Sequence, residues 1–290
     1  MKTILVLTDF SINADYVAHY ALELAQQLRA NLLVCNVYQD NANEKSPDEK
    51  SWPLRACEEA SINDLGELTA RLKARRNKQD ISSDGFRPEI LQCSLEGVVD
   101  QQLKVLTAKH DLLMAVISNH SANNLSGDFG KNHTKAIIEK AGIPVLVVPY
   151  QVRFKPYRNI VFASAMNADE IPVLRSLTDL AKHSDATLLL AHVAAVTSGT
   201  RRARSAFEAF CDQIPARINY PNISYANINA KDVARGLKET TADTAVDLLV
   251  LVHRRRSRFQ QLFGGSITSK MLTRPYKPLL VFPGSTINAS

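Results

Sequence analysis

The chain is written twice. Residues 3–38, TILVLTDFSINADYVAHYALELAQQLRANLLVCNVY, and residues 159–193, NIVFASAMNADEIPVLRSLTDLAKHSDATLLLAHV, follow one plan. Each has a short apolar run, a small-residue turn, a stretch of helical periodicity and a second apolar run. The halves also close alike, with DLLMAVIS and GIPVLVVP in the first and DLLVLVH and KPLLVFP in the second. Solenoid repeats run about 20 to 50 residues, whereas this one spans roughly half the chain, so it implies two duplicated domains. The chain has 290 residues, enough for each half to bury its own core.

Periodicity orders the elements within each half. Ile4 to Thr8 is apolar throughout and too short for a helix, which suits a strand covered on both faces. Tyr16, Val17, Tyr20, Ala21, Leu24, Ala25 and Leu28 recur at helical spacing and predict a helix over 14–29 with one face on a sheet. Strands follow at 31–38, 87–94, 111–117 and 144–148, and helices at 57–75, 96–108 and 134–141. The polar stretch 39–53 has no period and reads as a loop excursion. The second half predicts strands at 159–164, 186–193, 223–228, 247–252 and 278–282. Its helices are expected at 169–183, 200–218, 231–242 and 266–273. Alternation of this kind calls for parallel pairing through right-handed crossovers, hence an α/β chain of two tandem doubly wound domains, each with a five-stranded parallel sheet flanked by helices. The expected domains are 1–150 and 158–290, joined by a linker at 151–157. Ligands of such sheets sit beyond the carboxyl ends of the strands, which directs attention to the loops after the first and fourth strand of each half.

Charge separates the halves. Residues 1–150 carry 16 Lys+Arg against 19 Asp+Glu, and residues 151–290 carry 19 against 10. This excess marks the second half for an anionic partner without bearing on fold. No run approaches the roughly 18 apolar residues of a membrane span, and MKTILVLTDFS turns acidic too soon for a signal peptide. A cytoplasmic protein is expected. The four cysteines, Cys35, Cys57, Cys93 and Cys211, are widely spaced and form no ligand-like cluster, which predicts reduced thiols and no zinc site.

ILVLTDFS at 4–11, the strand ends LLVCNVY and LLLAHV, and the closing pattern of turn, helix and PVLVVP or PLLVFP together resemble the universal stress protein family, twice over and across nearly the whole chain. The resemblance implies an adenine nucleotide alpha hydrolase-like fold, ATP or another adenine nucleotide as ligand, with or without magnesium, and pairing of domains through the last strand, within the chain or in a homodimer. It implies a role in the stress response, with at most slow ATP hydrolysis. The competing reading is a structural or protein-interaction module that binds no nucleotide.

Nucleotide-binding members carry Gly-x-x-Gly, nine residues, then Gly-Ser or Gly-Thr after the fourth strand, a pattern that lets backbone N–H groups approach phosphates at a helix start. Neither half keeps all of it. In the first half Ser118 and Ser121 stand at the early glycine positions and Lys131-Asn132 at Gly-Ser, with Gly127 and Gly130 as compensation in a shifted register. In the second half Gly264, Gly265 and Ser266 remain, but Val252 and Arg255 replace the early glycines. The resemblance also expects an acid at the end of strand one. Asp9 supplies it in the first half, or serves as a turn residue and helix cap beside Ser11; its counterpart in the second half is Ala165. Val37 and its counterpart Val193 are either backbone contacts to adenine or core. The implied site in the first half therefore comprises Thr8, Asp9, Val37, Ser118, Gly127, Gly130, Lys131, Asn132 and Thr134. A degenerate second site comprises Val193, Arg255, Gly264, Gly265 and Ser266. If one half holds the nucleotide, the first is favoured.

HRRRSR at 253–258 reads as a solvated loop, as an anion site at the helix near Ser266, or, least, as a nucleic-acid contact, since no aromatic residues interleave to stack on bases. His120 and His133, with Asp111 or Asp128, form either a proton-transfer or metal pair or plain loop polarity; no nucleophile or third ligand accompanies them. His183, His192 and His253 have no partner visible in the sequence.

Overall fold

Five strands occur twice in the same order, and some of the turns between them repeat at the level of single hydrogen bonds. The structure, a computed structural model, describes residues 1–39, 54–78, 85–119, 131–195, 201–243, 245–254, 267–272 and 276–284. They divide into two compact units, one within Met1–His120 and Asn132–Phe154 and the other within Lys155–Ser290.

The first unit contains β1 (Thr3–Leu7), α1 (Ile12–Gln27), β2 (Asn31–Tyr38), α2 (Leu54–Lys78), β3 (Ile90–Glu96), α3 (Val99–Lys109), β4 (Leu112–Ser118), α4 (Lys131–Lys140) and β5 (Val145–Val148). Its strands pair in the order β3-β2-β1-β4-β5, all parallel. The second unit contains β6 (Asn159–Ala163), a single helical turn at Ala168–Glu170, α5 (Ile171–Lys182), β7 (Thr187–Ala195), α6 (Arg201–Cys211), β8 (Ile223–Ala230), α7 (Val233–Asp243), β9 (Leu248–His253), α8 (Ile267–Leu272) and β10 (Leu279–Pro283). Its order, β8-β7-β6-β9-β10, is the same one renumbered, again all parallel. The tandem doubly wound architecture expected from the repeat is the one observed.

Burial follows the periodicity. Ile4, Leu5 and Val6 in β1 and Ile160 and Phe162 in β6 are fully enclosed, as parallel strands covered by helices on both faces must be. On α1, Val17, Tyr20, Ala21, Leu24 and Ala25 are buried while Ile12 lies open. Ser11 caps this helix, its Oγ accepting from the Ala14 N–H at 3.2 Å.

The expected helix over 14–29 stops at Gln27 because Arg29 takes φ 51°, after which Ala30 N–H donates back to the Ala25 carbonyl at 2.9 Å. Asp185 with φ 48° and the bond from Ala186 to Ala181 end α5 identically. Two other boundaries move because of proline. The strand expected from Arg87 begins at Ile90, since Pro88 has no N–H for the ladder, and the Pro88 carbonyl accepts from Arg76 Nη1 instead. The helix expected over 200–218 ends at Cys211, because Pro215 drives the residue before it away from the helical region.

Cys35 and Cys93 stand opposite one another in the β2–β3 register, and all four cysteines are free thiols. The hydrogen bond with Cys93, together with burial, pushes the Cys35 thiol up; the same bond holds Cys93 below the usual thiol range.

The amino ends of the sheets differ. Asp111, before β4, pairs with Lys2 in the open at 2.9 Å. Asp247, before β9, is buried; its carboxylate accepts from the Arg158 and Asn159 N–H groups at 2.8 and 3.0 Å and meets Lys155 Nζ at 2.5 Å. At the opposite end of β9, Gly284 N–H donates to the His253 carbonyl, and a Cβ on Gly284 would lie 2.6 Å from that oxygen. Gly284→Ala is therefore expected to force the ends of β9 and β10 apart and to cost the second unit about 1–2 kcal/mol, measured as a fall in its urea midpoint.

Candidate functional site

In each unit the chain leaves the first strand for one flank of the sheet and fills the other flank later, so the carboxyl ends of β1 and β4, and of β6 and β9, border the crevice where strand order reverses. Both crevices start from the same turn. Thr8 N–H donates to the Cys35 carbonyl, and Thr8 Oγ1 accepts from the N–H of Phe10, whose φ is 58°. Ser164 N–H donates to the Ala191 carbonyl, and Ser164 Oγ accepts from the N–H of Met166, whose φ is 60°. A left-handed residue other than glycine costs about 1 kcal/mol or more, and the hydroxyl offsets it by holding the N–H inward.

In the first unit the register Val6↔Val116 sets Thr8 level with Ser118, and Leu7↔Cys35 sets Asp9 level with Val37. Thr8, Ser118 and Val37 are buried, as is Thr134 in α4. Asp9 Oδ1 accepts from Ser11 Oγ at 2.7 Å and from Ser11 N–H at 3.1 Å, so its carboxylate shapes the turn that leads into α1. Asn36 braces the turn from β2, donating to the Thr8 carbonyl at 2.8 Å while its Oδ1 accepts from Ser61, which also bonds Ser94. Lys131 and Asn132 fall in the first turn of α4, and Gly127 and Gly130 lie outside the described residues.

The second unit differs where its acid was absent. Ala165 replaces Asp9, yet a carboxylate reaches the same turn from Glu170, whose side chain is 1% exposed. Its Oε2 accepts from Ser164 Oγ at 2.6 Å and its Oε1 from the Ala165 N–H at 3.0 Å. Arg254, at the end of β9, donates to Glu170 Oε1 at 2.8 Å and to Asp169 at 2.9 Å. His192 occupies the place of Asn36, its Nδ1 donating to the Ser164 carbonyl at 3.0 Å and its ring stacked on Phe207. Between the carboxyl ends of β6, β7 and β9 and the helices α7 and α8 lies a cavity of about 410 Å³, bordered by Ser164, Glu170, His192, Val193, Leu237 and Arg254 among others.

Sequence reasoning did not find the Glu170 lock, because the acid was sought only at the position of Asp9. The signal was the pair Asp169-Glu170 just ahead of Pro172: proline favours the first helical turn, which fixes the start of α5 above the end of β6. Of the degenerate second site, Val193 is buried, with Gly236 of α7 packed on its methyl groups, and borders the cavity. Arg255, Gly264, Gly265 and Ser266 lie outside the described residues, as do His120 and Asp128. The helix expected at 266–273 is a turn and a half, Ile267–Leu272. His183 Nδ1 meets the Asp179 carbonyl within its own helix. Among the described residues no cluster of His, Cys, Asp or Glu fits a metal ion, and no helix is long and apolar enough to cross a membrane.

A family model described as the universal stress protein family matches residues 1–149. No curated protein matches the chain in sequence. Among solved structures, the chain is similar to a universal stress protein from Archaeoglobus fulgidus DSM 4304, with TM-score 0.67 and 14% identity over 97% of this chain and 96% of that one. A putative universal stress protein from Pseudomonas aeruginosa UCBPP-PA14 aligns with TM-score 0.59 and 12% identity, over 99% of this chain and 94% of that one. The cytoplasmic domain of a prokaryotic cation chloride cotransporter aligns with TM-score 0.55 and 10% identity, over 98% of both chains. At these identities the likeness concerns the fold, and the third case illustrates that one fold hosts unrelated duties.

Proposed function

The chain belongs to the universal stress protein family, a stress-response family, and on that premise we propose that it is a cytoplasmic regulatory protein whose first unit binds an adenine nucleotide such as ATP. The supporting observation is the grouping of Thr8, Asp9 and Ser118 at the reversal of strand order, with Val37 alongside on β2. The Asx turn made by Asp9 and Ser11 fixes the carboxylate before any ligand arrives, which lowers the entropy lost on binding. In this reading the carboxylate accepts hydrogen bonds from ribose or base, and Lys131 and Asn132 at the start of α4 approach the phosphates. In this reading occupancy, not turnover, carries the signal.

Calorimetry with ATP, with and without magnesium, tests the proposal. Asp9→Ala is expected to weaken binding at least about tenfold, the loss of one charge-assisted hydrogen bond, while Glu59→Gln on the exposed face of α2 leaves it unchanged. If the purified protein releases no adenine compound and ATP gives no heat, the interaction-module reading replaces this one.

A further inference from the structure

The cavity of the second unit has the volume of a small-ligand site, which runs from about 300 to 1,000 Å³. Its walls are mainly apolar, with Ala163, Ala191, Val193, Val233, Leu237 and Leu251 contributing. Among the described residues Arg254 is the cation at its polar end, and it is already committed to Asp169 and Glu170, one positive charge between two negative ones. We propose that this cavity takes an uncharged small molecule with apolar bulk and a hydrogen-bonding edge, and that it rejects phosphorylated ones.

Among the described residues, the charges at Arg254 and Glu170 weigh against a phosphate. A phosphate drawn to Arg254 would either displace its carboxylate partners or sit beside the buried Glu170, and like charges at such range in a poorly solvated place repel strongly. Nor can Glu170 swing aside cheaply, since Ser164 Oγ and the Ala165 N–H hold its two oxygens. For an uncharged ligand none of this is disturbed. His192 supplies part of the edge: its Nδ1 is engaged with the Ser164 carbonyl, which leaves Nε2 as the ring nitrogen open to a ligand. The Thr268 hydroxyl, buried and on the cavity wall, is a second polar group.

The test uses the full chain with Asp9→Ala in the background, which weakens the site of the first unit, and it reads only binding that a plug in the cavity of the second unit abolishes, so the two proposals stay separable. Adenosine and AMP form a matched pair differing only in the phosphate, and indole is an uncharged probe without a sugar. Ala165→Trp, at an exposed position on the cavity rim, serves as a plug that leaves the core alone. Adenosine or indole is expected to bind in a manner the plug abolishes, with AMP at least about tenfold weaker than adenosine. In Asp169→Asn/Glu170→Gln, where Arg254 is released, that preference is expected to reverse. Plug-sensitive binding of AMP as tight as that of adenosine overturns the proposal. So does a lack of plug-sensitive binding of both uncharged probes up to about 1 mM.

Discussion

Asp247→Ala is expected to cost the second unit about 3 kcal/mol, while Asp111→Ala, its counterpart in the first, costs under about 1. Both acids precede the fourth strand of their sheet and both meet a lysine, so the difference is one of burial and bonding. Asp111 and Lys2 are more than half exposed, and such pairs contribute little. The Asp247 side chain is 4% exposed and also accepts from two backbone N–H groups at the start of β6. Truncation leaves those donors without an acceptor as well as removing the charge.

Acid should reproduce part of this effect. Burial alone would raise the Asp247 carboxyl, but Lys155 and the Arg158 and Asn159 N–H groups outweigh it and hold the group below its ordinary value. The folded state therefore binds this proton less readily than the unfolded one. The resulting stability is full above about pH 4, the unfolded carboxyl's range, and is lost as pH falls through the lower folded value. Chemical unfolding of wild type and Asp247→Asn between neutral pH and about pH 3 checks the sign: the gap between them is expected to narrow in acid.

The second large effect is expected from Arg254→Ala, at about 2–3 kcal/mol. Removing the cation leaves the Glu170 carboxylate enclosed with, among the described residues, only Ser164 and the Ala165 N–H as partners. A stranded buried charge costs about 3–5 kcal/mol; the figure here is lower because Arg254 is 32% exposed and those two bonds survive. The two side chains should also be energetically coupled. Arg254→Ala/Glu170→Gln should be more stable than Arg254→Ala alone, since the glutamine needs no counter-charge. Additive losses in thermal unfolding would show that the pair does not act as a unit.

The architecture was legible because the central strands and the helix α1 announce themselves through buried residues, and the duplication repeats the message. Continuous apolar runs such as Ile4–Leu7 and Leu248–Val252 admit one reading in a parallel sheet. Boundaries were less legible where backbone geometry decides: nothing in Arg29 or Asp185 declares a left-handed residue, a conformation glycine or asparagine would have advertised. The candidate site was half visible. Strand ends could be placed by counting, which located Thr8, Asp9 and Ser118. A side chain arriving from a neighbouring element cannot be counted to: Glu170 and His192 reach the Ser164 turn from outside it, and Arg254 reaches Glu170 from the end of β9.

The hydroxyl turn at Thr8 and Ser164 gives the protein an experiment built into its own gene. Removing the same oxygen at each place, by Thr8→Ala and by Ser164→Ala, probes one motif in two settings under one solvent, one temperature and one polypeptide. Whatever separates the two outcomes belongs to the neighbours each copy has gathered since it was duplicated, and so dates their divergence in energy rather than in letters.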